Sequence, residues 1–398
     1  DTREMLGPGI ENSQSGEKVE IATGEETVLY APAKTIIGAQ AAPGVGAASY
    51  SWTENRIAFI HGPPLDQVSA RGYYAKPNRN GASVPADGSG KLSWLDFRDV
   101  ATDRSTTPGA HRGGTHRHEY SRNGKRIGFT YDDFLLPEYD RTIGYMEPHP
   151  RAPGGASQWF AILVPVARKG ESRPGEIEKA YSDSWVDPEG TMRAFIGVVR
   201  ESDGSDQESL FVVDVPLDVD ITTANAGDAT NYPSPPNGVS VRRLTHAWAG
   251  GVVRGSPSGD RIAYYAKDGN GSTQIFLIPS NGSDQSPDSA MRPVQATKLF
   301  LGAASGLRWH PSGEYIACIS HNEVAVTCGR PGPDFGKTIF LTAQGGAPDR
   351  SNLVWSRDGA VLAYNKPVPD PKGGKNYNGT DFLQIFTVTF SPQVFGSK

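Results

Sequence analysis

The sequence predicts an all-β fold: a seven-bladed β-propeller, one domain over residues 1–398, closed by pairing of its N- and C-terminal strands. Six blades with an N-terminal extension is the alternative. Three observations predict it. A hairpin pattern recurs along the chain, further strand-like runs follow several of its copies, and no helical periodicity of useful length competes. The 47 glycines and 31 prolines suit many short strands joined by tight loops.

The copies begin at "YSWTENRIAFIHG" from Tyr50, "HEYSRNGKRIGFTYDD" from His118 and "SWVDPEGTMRAFIGVVRE" from Ser184. They continue with "VRGSPSGDRIAYYAKD" from Val253, "LRWHPSGEYIACIS" from Leu307 and "LVWSRDGAVLAYNK" from Leu353. Each has an aromatic or β-branched run, a polar turn and an alternating strand. The turns carry Gly124, Gly190, Gly259, Gly313 and Gly359, with Asn55 in the first copy. Each copy therefore reads as the first two strands of a blade. "LFVVDVPL", "QIFLIPS", "TIFLTAQ" and "QIFTVTF" supply later strands. Trp52, Tyr120, Trp185, Trp309 and Trp355 are expected to pack between blades. "EKVEIA", "ETVLYAP" and the C-terminal "QIFTVTF" are left over, and they form the expected seventh blade.

The net charge of −5, without a basic stripe, excludes a nucleic-acid partner. No run approaches the roughly 18–20 apolar residues that span a bilayer, so no membrane partner is expected. Sequons at Asn270, Asn281 and Asn378 lie in Gly-rich polar stretches and are candidate N-glycosylation sites. Cys318 and Cys328 flank a hairpin turning near His321 and Asn322, which makes a cross-strand disulfide one reading. Free buried thiols, or a thiolate ligand beside His321 or His310, are the others. A start at Asp1 without an apolar leader fits a processed chain. Together these features predict a secreted, extracellular monomer.

In a propeller, the loops before the first strand and after the second share one end of each blade, where function usually sits. His61, Tyr73, Tyr74, Lys76, Arg79, Arg112, His116, His118, Asp132, Asp133, Tyr181, His246 and Trp248 fall in or beside such loops. Guanidiniums there suit a carboxylate, which they bind through paired hydrogen bonds, and aromatic rings suit sugar faces. Simple alternation puts His116 and His118 on one strand face, and His118 reads either as a functional group or as a hydrogen-bonded core residue. A zinc or manganese ion needs three or more ligands. The His-x-His pair, or His246, His310, His321 and Cys318, are the conceivable sets.

The stretches "RGGTHRHEYSRNGKRIGFTYDD", "FIHGPPL…RGYYAKPNRNGA" and "AYSDSW" resemble a group of propeller carbohydrate lyases. That group includes ulvan lyases, oligogalacturonate lyases and secreted fungal L-rhamnose-α-1,4-D-glucuronate lyases. The resemblance implies β-elimination at a 4-substituted glucuronate, releasing L-rhamnose from gum arabic or arabinogalactan and leaving an unsaturated uronate. A rhamnosyl-glucuronate hydrolase on the same fold, or a sugar-binding propeller without chemistry, is the alternative. For the lyase, Arg112 and His118 are expected to hold the carboxylate, and His116 and Tyr181 to share base and acid work. His61, Tyr74, Arg79, His246 and Trp248 are expected to form the sugar pocket. No cofactor is required by this chemistry, and a structural metal ion stays open.

Overall fold

The computed structural model describes residues 14–343, 349–375 and 379–395. Six sheets form, the blades of an all-β propeller, in which successive strands are neighbours. Blade 1 is Val45–Tyr50, Arg56–His61, Asn80–Pro85 and Ser93–Trp94; blade 2 is Gly114–Tyr120, Ile127–Asp132, Thr142–Pro148 and Gln158–Ile162. Blade 3 is Ile177–Trp185, Met192–Arg200, Asp206–Asp214 and Ser240–Arg243; blade 4 is Ala249–Gly255, Arg261–Lys267, Thr273–Pro279 and Val294–Gln295. Blade 5 is Ser305–Trp309, Tyr315–Ser320, Glu323–Cys328 and Thr338–Phe340; blade 6 has three strands, Ser351–Trp355, Val361–Val368 and Phe382–Thr389. Among the described residues no helix is long and apolar enough to cross a membrane.

The expected seventh blade does not form. Gly16–Val19 pairs with Glu26–Tyr30 as a separate two-stranded sheet. The C-terminal strand, Phe382–Thr389, pairs along its full length with Val361–Val368 and completes blade 6. The leftover segments were thus short of a blade, because one of them was needed by the sheet before it.

The chain divides into two compact units. The first takes in the described residues to Tyr181 together with Val215–Ser240; the second takes in Ser182–Asp214 and the described residues from Val241 on. Blades 1 and 2 lie in the first unit. Their shared core joins Ala58, Tyr120, Phe129, Tyr131 and Phe160. In the second unit, Trp309 and Trp355 are 8% exposed and pack in the cores of blades 4–5 and 5–6.

The hairpin turns follow from their residues. Gly124 has φ of 74°, in the left-handed region, and a Cβ there would lie 2.1 Å from Thr53 Oγ1. Ser121 and Arg126 close the turn around it.

Cys318 and Cys328 are free and buried, so the expected disulfide is not made. Ser320 pairs with Glu323, which sets Cys318 opposite Ala325 and Cys328 opposite Tyr315. The two thiols leave opposite faces of the blade, Cys318 into the core shared with blade 4 and Cys328 into the core shared with blade 6. Burial raises Cys318 to a pKa of about 12.

One irregularity recurs in all six blades. The first strand carries a left-handed residue near its start: Ala47, Arg117, Ser182, Gly251, Gly306 and Asn352, with φ of 53°, 58°, 59°, 65°, 77° and 56°. The ladder slips there, between Gly46 and Ser49 and between His116 and Glu119. The same slip occurs between Gly250 and Arg254, Ser305 and Arg308, and Ser351 and Val354. These are β-bulges, which re-aim side chains and break alternation.

Candidate functional site

The bulge decides how the histidines of blade 2 point. Without it, His116 and His118 would share a face and Thr115 would oppose them. With Arg117 inserted, Thr115 and His118 come together instead: His118 Nε2 lies 3.0 Å from Thr115 Oγ1. The expected His-x-His face is therefore replaced by two environments.

His118 looks into a polar network buried between blades 1 and 2. Asp96 is its centre. Its carboxylate accepts from Thr115 Oγ1 at 2.6 Å, Asn80 Nδ2 at 2.8 Å and the Gly81 amide at 2.9 Å. His111 Nε2 stands 3.4 Å away. Because the threonine proton goes to Asp96, His118 Nε2 carries its own proton and donates to Thr115. Burial opposes the Asp96 charge, but His111, His118 and the Thr115 hydroxyl outweigh it and lower the pKa to about 2. His118 is 1% exposed, and burial depresses its pKa to about 4. It has no exposed atom with which to hold a substrate carboxylate.

Arg112 likewise cannot serve an outside carboxylate. It is wholly buried and donates from Nε to Asp133 at 2.8 Å and from Nη1 to the Asp228 carbonyl. Asp133 also accepts from the Tyr131 hydroxyl at 2.9 Å and caps the amides of Leu135 and Leu136. This pair sets the loop that follows the second strand of blade 2.

His116 sits on the other side of the bulge, opposite Thr130 in the ladder and partly exposed. Burial first, then the charges of Arg79, Arg141 and Arg117, with a further term from His118, depress its pKa to about 2. It is a neutral imidazole among three guanidiniums. Each guanidinium has a support. Arg79 lies 4.8 Å over the Tyr74 ring. Arg141 is held by Asp132, with Nη2 at 2.8 Å and Nε at 3.2 Å. Arg117 occupies the strained bulge itself.

The loops of blade 1 meet this end of blade 2. The Thr115 amide donates to the Arg79 carbonyl at 3.4 Å. Arg98 donates to the carbonyls of Gly113 at 2.9 Å and Pro77 at 3.2 Å. Burial and the neighbouring Arg71 lower the Arg98 pKa to about 10, a mark of crowded positive charge. At Gly114 a Cβ would lie 2.0 Å from the Lys76 carbonyl, so no side chain fits between the two loops.

The other expected residues fall elsewhere. His61 is buried: Nδ1 donates to the Gly62 carbonyl at 2.6 Å, and Nε2 accepts from the Tyr30 hydroxyl at 2.9 Å. Both ring nitrogens are satisfied within the protein, which leaves none for a sugar. Tyr181 directly precedes the left-handed Ser182, so it holds in blade 3 the position that His116 holds in blade 2. Lys179 lies 5.5 Å over its ring. His246 and Trp248 belong to the second unit. There His246 Nδ1 lies 3.0 Å from Asp284, and Trp248 Nε1 donates to Glu208 at 2.8 Å. Asn270 and Asn281 are exposed, and Asn378 lies outside the described residues.

Sequence reasoning missed Asp96, His111, Arg98 and Arg141. Among the described residues no three His, Cys, Asp or Glu side chains gather to hold a metal ion.

Residues 44–151, which span blade 1 and most of blade 2, match the family model DUF3748, described as a protein of unknown function. The Escherichia coli K12 protein named "Uncharacterized protein YidR" is 32% identical over 379 residues, covering 87% of this chain and 84% of its own. Among solved structures, an oligogalacturonate lyase in complex with manganese is similar over 100% of both chains, with a TM-score of 0.51 and 9% identity. A prolyl endopeptidase is similar with a TM-score of 0.51 and 13% identity over 96% of this chain. This chain spans about half of that peptidase, 47% of its length. At such identities the likeness is one of fold.

Proposed function

The chain belongs to the family of the Escherichia coli protein YidR, and we propose that it is a carbohydrate-processing enzyme whose site surrounds His116. The substrate class is an acidic sugar polymer, and the reaction is β-elimination at a uronate. The observation that carries this reading is His116 itself, an uncharged imidazole ringed by Arg79, Arg117 and Arg141.

The chemistry needs that combination. The proton on C5 of a uronate becomes removable once the adjacent carboxylate is neutralised by donors and positive charge. The three guanidiniums supply both. His116 takes the C5 proton through its free lone pair; electrons shift to form the C4–C5 double bond; the C4–O4 bond breaks. Tyr181 donates a proton to the departing O4. The proton on His116 then returns to solvent and Tyr181 regains one, so the enzyme ends as it began. A terminal rhamnose on O4 of glucuronate, as in gum arabic, is the proposed substrate, and free L-rhamnose the leaving sugar. Secretion as a glycoprotein and a monomeric state are part of the same proposal.

Incubation with gum arabic tests it. Free rhamnose with new ultraviolet absorbance from a conjugated uronate supports elimination. Rhamnose without absorbance means hydrolysis, and neither product refutes this substrate. His116→Ala is expected to lower turnover by about 10²–10⁴-fold. Full activity in both His116→Ala and Tyr181→Phe would remove them from the reaction.

A further inference from the structure

The six bulges can be compared position by position. The residue before the left-handed one is Gly46, His116, Tyr181, Gly250, Ser305 or Ser351 in blades 1 to 6. Only blades 2 and 3 place a large proton-transfer side chain there. The residue after it is Ala48, His118, Asp183, Val252, Leu307 or Leu353. Leu307 and Leu353 are fully buried, and His118 is 1% exposed in the same slot of blade 2. Asp183, in blade 3, takes a hydrogen bond of 2.6 Å from Arg193. Four blades therefore fill the slot with an apolar side chain, and the two polar exceptions are the two blades that present His116 and Tyr181.

A polar group in a buried slot has to be matched, and an apolar one of the same shape does the packing more cheaply. Blade 2 needs several matched groups. Thr115 and His118, bonded to each other at 3.0 Å, stand on either side of His116 and Arg117, so their bond spans the bulge. Thr115 is then tied to Asp96 at 2.6 Å, and Asp96 to Gly81 and Asn80 on the third strand of blade 1. Gly81 leaves room for this: a Cβ there would lie 2.7 Å from His118 Nε2.

We propose that His118, held through Thr115 by Asp96, is a positioning residue that fixes the bulge of blade 2 and so aims His116 among the guanidiniums. The inference rests on the reading of His116 as the base and adds what holds it there. It also gives the strained Arg117 backbone a cause, since a left-handed non-glycine residue persists only where its surroundings enforce it.

His118→Leu tests this, because it installs the side chain that blades 5 and 6 use in the same slot. The readouts are thermal unfolding and the NMR titration of His116, assigned by its loss in His116→Gln. The groups acting on His116 are Arg79, Arg117, Arg141 and His118. Expected is a Tm within about 2 °C of the parent or above it, with the His116 titration moved up by about one unit or more as the ring leaves its place. His118→Gln returns a donor near the Nε2 position and is expected to restore the parent titration even where His118→Leu lowers Tm. An unmoved His116 titration in His118→Leu overturns the proposal, as does a shift that His118→Gln leaves uncorrected. The titration needs no substrate. If gum arabic is not cleaved, the substrate reading fails while this result stands.

Discussion

Lowering the pH from 6.5 to 4.5 is expected to remove most of the protein's stability, and the cause is three histidines. His61 and His118 have folded pKa values of about 4, and His116 of about 2, against 6.5 in the unfolded chain. Between those limits the unfolded state binds protons that the folded state refuses, so stability falls as pH falls. At pH 4.5 each histidine costs about 2.6 kcal/mol, and together they cost about 8 kcal/mol. The total stability of a protein is about 5–15 kcal/mol. The depressed Asp96 carboxylate acts in the same direction but only lower down, as pH falls through about 2, and so leaves this window untouched. Urea unfolding at pH 6.5, 5.5 and 4.5 measures the slope. Near pH 5 it should correspond to uptake of about three protons on unfolding. His118→Leu should reduce that by about one. An uptake of less than about one proton in the parent, or an unchanged slope in His118→Leu, would refute the assignment of neutral buried rings.

Three further outcomes follow from single contacts. Asp133→Ala leaves Arg112 and the Tyr131 hydroxyl buried without their carboxylate, and should cost about 3–5 kcal/mol in denaturant unfolding; a loss under about 1 kcal/mol would contradict the buried pair. Gly124→Val forces a branched residue to φ of 74° against Thr53, and should cost about 2 kcal/mol or more, whereas a neutral result would mean the turn adopts another form. Ellman's reagent should find no reactive thiol in the native protein and both after denaturation without reductant; a denatured protein lacking thiols would show a disulfide after all.

The hairpins were legible because their signals are local. A Gly at the turn and alternation beyond it lie within about fifteen residues, and all six predicted copies became the first two strands of a blade. The blade count was not, since it depends on which distant strand Phe382–Thr389 joins, and that partner is chosen by the whole sheet. The cysteines failed for a smaller reason. Cys328 lies three register steps from Ala325, the partner of Cys318, and an odd number of steps puts two side chains on opposite faces. The turn at His321 and Asn322 had been placed correctly, so the register alone would have ruled the disulfide out.

The bulges were invisible for a different reason. Ala, Arg, Ser, Gly, Gly and Asn share no property that marks a left-handed residue, and only two of them are glycine. The conformation is imposed by the blade, and the side chains it re-aims are then free to differ. That is why alternation misjudged the pair at 116 and 118, and why Asp96, in the unremarkable run "SWLDFRDV", gave no sign of anchoring them. The same freedom explains how one blade can become a site while the others stay scaffold. A His116 pKa of about 2 makes its ring always available but weakly basic. An anionic substrate seated on Arg79, Arg117 and Arg141 removes much of the repulsion that holds the value down, since those charges are listed by nature rather than by burial alone. Base strength would then rise when, and only when, the group that needs deprotonating is bound.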